Sequence, residues 1–502
     1  MKILLLNLPF IFEKKSDVVL SHCLGILQIA SFLREHHCSV SILDALQEGF
    51  DKSEKYNNYY RIGLKDEDII EKISPELGLI GISIPFSHLA KLAHDLVDKI
   101  KAKHPHIPIV LGGVYPSSQP RQAIGSNADY IILGEGEEPM LDLVNYLSQK
   151  TDKLPGSIID KKSDVENAKN HFSQNINSFP LPARDLVDFS KYLVRSPRNV
   201  RGWRSASIIT SKGCPYDCEF CAVHPVCGYK WRPFSSERVL SEINYLVDNY
   251  QINNIEIEDD NFTIKENRVE EILNGIIEIN KTKQYLSWQA LNGLRIDTLN
   301  EKLIKLFKDS NCRHLNIALE HGDPDMLGII GKRLKLEKVL EVVEYLKKYD
   351  IESHVFTIFG YPGETKERFE NALNFYSKIK KIAPNIVFKF FIAQPYPNTR
   401  LFDRCVKEGY LPHDMYSDIS KISKFSTANK IWIETPDFDK KEVLKRKKRL
   451  RKKLFTKKEY LMQMTREKLP DPIVDKLYSI YHIIAKRKIN ATAGNNIEFK
   501  GC

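Results

Sequence analysis

The sequence predicts an α/β protein: a doubly wound parallel sheet, then an open (β/α)6 barrel, then a mainly helical, basic region. Three observations predict it. Short β-branched runs alternate with helix-periodic stretches over residues 1–150, the alternation resumes over 205–400, and Val443, Leu450, Leu454 and Leu461 fall at helical spacing among many lysines and arginines. Residues 151–204, rich in Asp, Asn, Ser and Pro, read as a connector, and 401–502 as the C-terminal region. At 502 residues the chain exceeds one ordinary core and has room for two or three domains.

In the first half, Lys2 to Leu8, Ser39 to Ala45, Leu77 to Pro85, Ile107 to Gly113 and Asp129 to Leu133 read as strands. Leu20 to Glu35 and His88 to Lys103 read as helices between them. In an open parallel sheet a ligand sits at the carboxyl ends of the strands. Three ends have the residues for it: Ser83 to Ser87, Gly112-Gly113-Val114-Tyr115-Pro116-Ser117, and Gly134-Glu135-Gly136-Glu137. Glycines there let a ligand approach the backbone, and hydroxyls donate hydrogen bonds. Each is also an acceptable ordinary turn.

In the second half the strands are Ser205 to Ser211, Ile255 to Glu258, Leu286 to Leu291, His314 to Glu320, His354 to Gly360 and Ile386 to Ala393. Helical stretches such as Glu237 to Tyr250, Leu336 to Tyr349 and Glu364 to Ile379 separate them. Barrel chemistry belongs at the strands' C-terminal ends. No low-complexity segment or solenoid-type repeat interrupts the pattern.

Composition narrows the function. No apolar run approaches the roughly 20 residues a bilayer requires, and Met1 to Leu6 lacks a signal-peptide cleavage site and reads as a buried strand, so a cytoplasmic protein is expected. Nine cysteines are too few for a secreted disulfide scaffold. The net charge of +10 is concentrated between Lys440 and Lys458. A basic amphipathic helix over 440–461 is compatible with contact to an anionic membrane surface or a lipid-like substrate, but the stronger reading is a helix packed on its own domain with basic side chains outward. Aromatics are not interleaved as stacking platforms, which argues against nucleic acid.

The chemistry is carried by Gly213-Cys214-Pro215-Tyr216-Asp217-Cys218-Glu219-Phe220-Cys221, directly after the first barrel strand. Three thiolates in one tight loop grip three irons of a four-iron cube and leave the fourth without a protein ligand. That open position takes a small molecule and passes it an electron, whereas structural zinc closes its shell with four ligands. His224 and Cys227 are spaced as alternative fourth ligands; packing beside the loop is their more ordinary role. Cys23, Cys38, Cys312, Cys405 and Cys502 are dispersed.

The three-then-two spacing, with Phe220 before the last cysteine, resembles the radical S-adenosylmethionine superfamily. Further segments resemble it in order: Glu256 to Thr263, Ile317 to Pro324 around Glu320, Phe359 to Thr365, and Pro395-Tyr396-Pro397-Asn398-Thr399, with Asn398 where the family has glycine. The resemblance implies a 4Fe-4S cluster on Cys214, Cys218 and Cys221, adenine contact by Phe220, and cosubstrate binding by Glu320 and Asp259. It also implies reductive cleavage to a 5′-deoxyadenosyl radical that takes hydrogen from an unactivated carbon, with an electron donor such as flavodoxin or ferredoxin.

The N-terminal half resembles the flavodoxin-like cobalamin-binding domain that precedes the barrel in one subgroup, on Pro9, Leu24 to Ala30, Gly112 to Pro116 and Gly134 to Glu137. Leu181-Pro182-Ala183-Arg184-Asp185 resembles that subgroup's junction. By this resemblance Ser83, Gly112, Gly113, Tyr115, Gly134, Glu135 and Glu137 contact cobalamin. Where cobalt-ligating proteins have Asp-x-His-x-x-Gly, Asp44-Ala45-Leu46-Gln47-Glu48-Gly49 offers leucine, so no imidazole is expected on the metal from there.

The implied activity is a cobalamin-dependent C-methylation. The alternatives are a non-methylating rearrangement, cyclisation or oxidation, and, outside enzymes, an iron-sulfur redox sensor or binding module. A methylthiotransferase needs three further N-terminal cysteines, and the first 200 residues hold only Cys23 and Cys38.

Overall fold

Strand β1 (Lys2–Asn7) has every residue after the first buried, as a central parallel strand covered by helices on both faces must. The computed structural model describes residues 1–13, 20–56, 59–163, 165–195, 203–411, 430–456 and 459. After β1 come β2 (Phe10–Phe12), β3 (Ser39–Asp44), β4 (Ser53–Tyr56), β5 (Tyr59–Ile62), β6 (Leu79–Ser83), β7 (Ile109–Gly112), β8 (Tyr130–Ile132) and β9 (Ile158–Asp160).

Six of these strands form one sheet in the order β3-β1-β6-β7-β8-β9, and only β9 runs antiparallel. Side chains alternate across β1. Ile3 and Leu5 pack with Ile26, Leu33, Met140 and Leu143 from the helices Leu24–Glu35 and Glu137–Leu147. Leu4 and Leu6 join Leu92, Leu96 and Ile100 of the helix Ala90–Lys103 on the other face. The order in which the parallel strands are added changes direction between β1 and β6, the switch point of the flavodoxin-type order, which opens a crevice at their carboxyl ends.

Two features lie outside the expected pattern. Strands β2, β5 and β4 form a small antiparallel sheet, and β9 falls within the stretch read as connector. Each is three or four residues long, too short for a period-2 pattern to show.

The second half contributes β10 (Ser205–Ile208), β11 (Ser211–Lys212), β12 (Arg232–Pro233), β13 (Asn254–Ile257), β14 (Ser287–Arg295), β15 (Cys312–Glu320), β16 (Glu352–Phe359) and β17 (Val387–Ile392). Six of them pair in parallel as β10-β13-β14-β15-β16-β17, so β10 and β17 are the two edges of an open barrel. Side-chain caps start the helices between them: Ser235 accepts from Arg238 N, Asn300 from Leu303 N and Thr365 from Arg368 N. The hairpin β11–β12 brackets the cysteine loop.

Arg184 fastens the connector to the barrel. Its guanidinium is fully buried and donates to Ser207 O at 3.1 Å and Glu242 Oε1 at 2.7 Å. At the other end of the chain the basic helix Lys440–Leu454 buries Val443, Arg446, Leu450 and Leu454 against the helix Lys366–Ile382. Leu461 lies outside the described residues. Among the described residues no helix is long and apolar enough to cross a membrane.

Two neighbouring residues of the connector give a contrast in stability. Arg184→Ala leaves Glu242 buried with one cation fewer and is expected to cost about 3–5 kcal/mol in urea unfolding. Loss of the exposed Arg34–Asp185 pair by Arg34→Ala is expected to cost less than about 1 kcal/mol.

Candidate functional site

The cysteine loop is shaped by its glycine and held by three later segments. Gly213 has φ +83°, and a Cβ there would stand 2.4 Å from Lys230 O, so no side chain fits. Glu219 N donates to Ile330 O, Leu401 N donates to Glu219 O, and the Glu219 carboxylate accepts from Tyr361 Oη at 2.6 Å. Arg400 pairs with Asp217 at 3.0 Å. The segments after β16 and β17 therefore clamp the loop.

Cys214, Cys218 and Cys221 line one cavity of about 360 Å³ together with Phe220, Asn261, Arg295, Glu320 and Lys332. Burial raises all three thiol pKa values, that of Cys221 to about 12. Three thiolates can share such a space only with a cation to balance them, so this donor set fits an iron-sulfur cluster. Cys227 does not line that cavity; it lies on the wall of the strand-end cavity instead. The His224 ring stacks on Tyr229 at 3.7 Å, with Nε2 3.2 Å from Cys214 O.

Glu320 reaches the cavity through backbone strain. A bulge interrupts the β15–β16 register between Ala318 and Glu320, and Glu320 itself has φ +66°. Such a conformation costs a non-glycine residue about 1–3 kcal/mol; here it turns the carboxylate onto Lys332 Nζ, 2.9 Å away. The next residue, His321, meets Glu364 Oε1 at 3.0 Å. Glu364 also accepts from Gly360 N and Arg446, both at 2.8 Å.

Adjacent aspartates divide the work after β13. Asp259 is buried and accepts from Thr210 N, Thr210 Oγ1 and Ser211 Oγ, which ties β13 to the end of β10. Asp260 faces the cysteine cavity and also a second cavity of about 280 Å³ at the sheet's switch point. Burial, then the neighbouring Asp259 charge, pushes its pKa up to about 6.

The second cavity is walled by Leu5, Ile26, Val110 and Met140 and by Ser83, Gly112, Gly113 and Gly134. A Cβ at Gly113 would lie 2.9 Å from Ile84 O, and one at Gly134 2.3 Å from His171 O. A third cavity of about 400 Å³ adjoins it and shares Gly25, Ser83, Gly113 and Glu258. His22 lines this one; both ring nitrogens are buried without a partner among the described residues, and burial holds the ring neutral with a pKa lowered to about 3. A glycine-floored, apolar-walled cleft with an orphaned imidazole fits a large amphipathic cofactor such as cobalamin.

Other candidates from the same strand ends sit elsewhere. Tyr115 is fully buried, its hydroxyl 3.2 Å from His94 Nε2. Glu135 and Glu137 touch the second cavity, yet their carboxylates hold Arg232 and Lys212 of the hairpin, each at 2.6 Å. Leu46 is buried in the short helix Ala45–Glu48 and does not reach the wall of either of these two cavities. His22, missed in the sequence, stands three residues before Gly25; a lone histidine entering a glycine-led helix was the available signal.

Asp260 should make stability depend on pH. A carboxyl whose folded pKa is about 6 binds its proton more tightly folded than unfolded, so stability falls as pH rises from about 4 to about 6. In chemical denaturation of the metal-free protein, Asp260→Asn is expected to be more stable than wild type by about 3 kcal/mol at pH 7.5, and the gain should vanish below pH 4.

The profile of the radical SAM superfamily matches residues 208–376, and that of the B12 binding domain matches 18–144. An uncharacterised methyltransferase of Pyrococcus horikoshii is 29% identical over 77% of this chain and 79% of its own length. The cytidylyl-2-hydroxyethylphosphonate methyltransferase of Streptomyces wedmorensis is 26% identical over 82% of both chains. Among solved structures, the cobalamin-dependent radical enzyme OxsB with aqua-cobalamin superposes with a TM-score of 0.69 at 17% identity, covering 99% of this chain and 74% of that one. The methyltransferase TsrM of Kitasatospora setae, with cobalamin and a [4Fe-4S] cluster, gives 0.62 at 17% identity over 81% and 75%. With both profiles met in order on the two halves of one fold, the chain belongs to the radical S-adenosylmethionine enzymes that carry a B12-binding domain ahead of the barrel.

Proposed function

We propose that this enzyme installs a methyl group on an unactivated carbon of a small or lipid-like substrate, with Cys214, Cys218 and Cys221 as the protein ligands of its cluster. The carrying observation is Asp260, which stands on the wall of both the cysteine cavity and the strand-end cleft. A substrate carbon between the two cavities is within reach of both chemistries. When bound, the cluster and S-adenosylmethionine supply hydrogen abstraction, and cobalamin supplies the methyl group.

The chain's own residues bind, orient and exclude water. Glu320 and Lys332 offer an acceptor and a donor to the ammonium and carboxylate of the cosubstrate, and Phe220 offers its ring to the adenine. Gly112, Gly113 and Gly134 let a corrinoid approach the backbone, and His22 faces the same cleft. Glu135 and Glu137, gripping Arg232 and Lys212, keep the halves closed. On this reading 1–150 binds cobalamin, 151–204 connects, 205–400 is the barrel, and 401–502 is the C-terminal basic region, of which the helix Lys440–Leu454 packs on the barrel. A one-electron donor of the flavodoxin or ferredoxin type completes the system.

Replacing Cys214, Cys218 and Cys221 together with alanine is expected to abolish reconstituted cluster absorbance and 5′-deoxyadenosine formation; a retained four-iron cluster would refute the ligand assignment. Glu320→Ala is expected to keep cluster iron and weaken cosubstrate binding about tenfold or more, read by equilibrium dialysis. With methyl-labelled cosubstrate, each turnover should yield 5′-deoxyadenosine and S-adenosylhomocysteine and place label in the product. Deoxyadenosine without labelled product means radical chemistry of a non-methylating kind.

A further inference from the structure

At the foot of the barrel, remote from the cysteine loop, β15 and β16 bring His314, Glu352 and His354 together. The register sets His314 beside Glu352 and Asn316 beside His354. By strand alternation these side chains share a face with Ala318, Phe356 and Ile358, which line the cysteine cavity above. At about 3.3 Å per residue the cluster lies roughly 7–20 Å below those residues.

One ligating atom from each of the three lies within 4.8 Å of the other two. His314 Nδ1 is 3.7 Å from Glu352 Oε1, and the two imidazoles meet edge to face with centroids 4.1 Å apart. Four donors around a zinc-type ion at 2.0–2.1 Å stand about 3.3 Å from one another. Closing onto an ion therefore draws in the two rings as well as the exposed Glu352 side chain.

The tautomer of His314 follows from its neighbour. Asn316 Nδ2 donates to Leu291 O, which turns Asn316 Oδ1 to His314 Nε2, 2.8 Å away. Nε2 therefore carries a proton, and Nδ1 is the ring atom that faces the carboxylate oxygen. A ring nitrogen and a carboxylate oxygen so placed repel unless a proton or a cation lies between them. His354 has no hydrogen-bond partner among the described residues, so its ring nitrogens are not committed elsewhere.

We propose that His314, Glu352 and His354 form a three-ligand site for a divalent cation of zinc's class, with the fourth position left to water and Asn316 orienting the first histidine. The donor set selects the ion. Lys389 lies near His354 and offsets the single carboxylate, so little net charge is offered to a hard cation such as magnesium or calcium. Two imidazoles instead favour an ion that forms coordinate bonds to nitrogen. Orientation of a ligating ring by a hydrogen bond at its other nitrogen is the arrangement such sites use. The plain alternative is an imidazolium–carboxylate pair between His314 and Glu352, with His354 a bystander.

The test uses full-length protein with its cluster loaded, dialysed against buffered zinc, with zinc and iron read by mass spectrometry. Wild type should retain one zinc per chain beyond the cluster. His354→Ala should weaken zinc binding about tenfold or more with iron content unchanged, and Glu352→Gln should shift it in the same direction. X-ray absorption at zinc should show nitrogen and oxygen neighbours near 2.0–2.1 Å and no sulfur near 2.3 Å. Absence of zinc in wild type, equal zinc in wild type and variants, or sulfur scattering would overturn the proposal. Should His354→Ala lose its iron through misfolding, Glu352→Gln, altered at an exposed side chain, decides alone.

Discussion

The bidentate grip of Arg232 on Glu135 is the contact on which the two halves depend. Both side chains are 4% exposed, and the guanidinium also donates to Ser173 O and Cys227 O. A buried pair of this kind adds little net stability over an apolar substitute, but removing one partner strands the other charge. Its value is positional. Arg232 and Lys212 are paired residues of the hairpin that brackets the cysteine loop, and Glu135 and Glu137 lie two residues apart where β8 runs into the helix Glu137–Leu147. Two ion pairs thus register the loop against the cleft.

A second node closes the far side of the barrel. Glu364, fully buried, gathers Gly360 N, His321 Nε2 and Arg446. It ties the ends of β15 and β16 to the basic C-terminal helix. That helix looks from composition like a cationic surface, yet one of its arginines is an internal brace, with its guanidinium 5.2 Å from the Phe369 ring centroid. The outer lysines are solvated stems around this anchor.

Much of the fold is legible in the sequence because buried parallel strands and amphipathic helices have different periods. The cysteine loop is legible because its spacing and its place after the first barrel strand are local. What escapes is long-range or very short. Strands β2, β4, β5 and β9 carry too few residues to show alternation. Asp259 and Asp260 are the same residue type at consecutive positions, and only the hydroxyls of Thr210 and Ser211 decide which carboxylate is committed to structure. The Gly-Glu-Gly-Glu turn reads as ligand-facing, while the partners of its carboxylates lie 97 and 75 residues further along the chain.

The barrel's two unpaired edges bear on what it can act upon. A closed eight-stranded barrel admits only what fits through its mouth. With β10 and β17 apart, and with Phe391 and Tyr396 of the cysteine cavity still 39% and 43% exposed, the wall has a flank as well as a mouth. A long molecule can then lie across that flank and present a single carbon inward. Under this geometry, the depth that one position reaches would weigh more in selection than the girth of the rest.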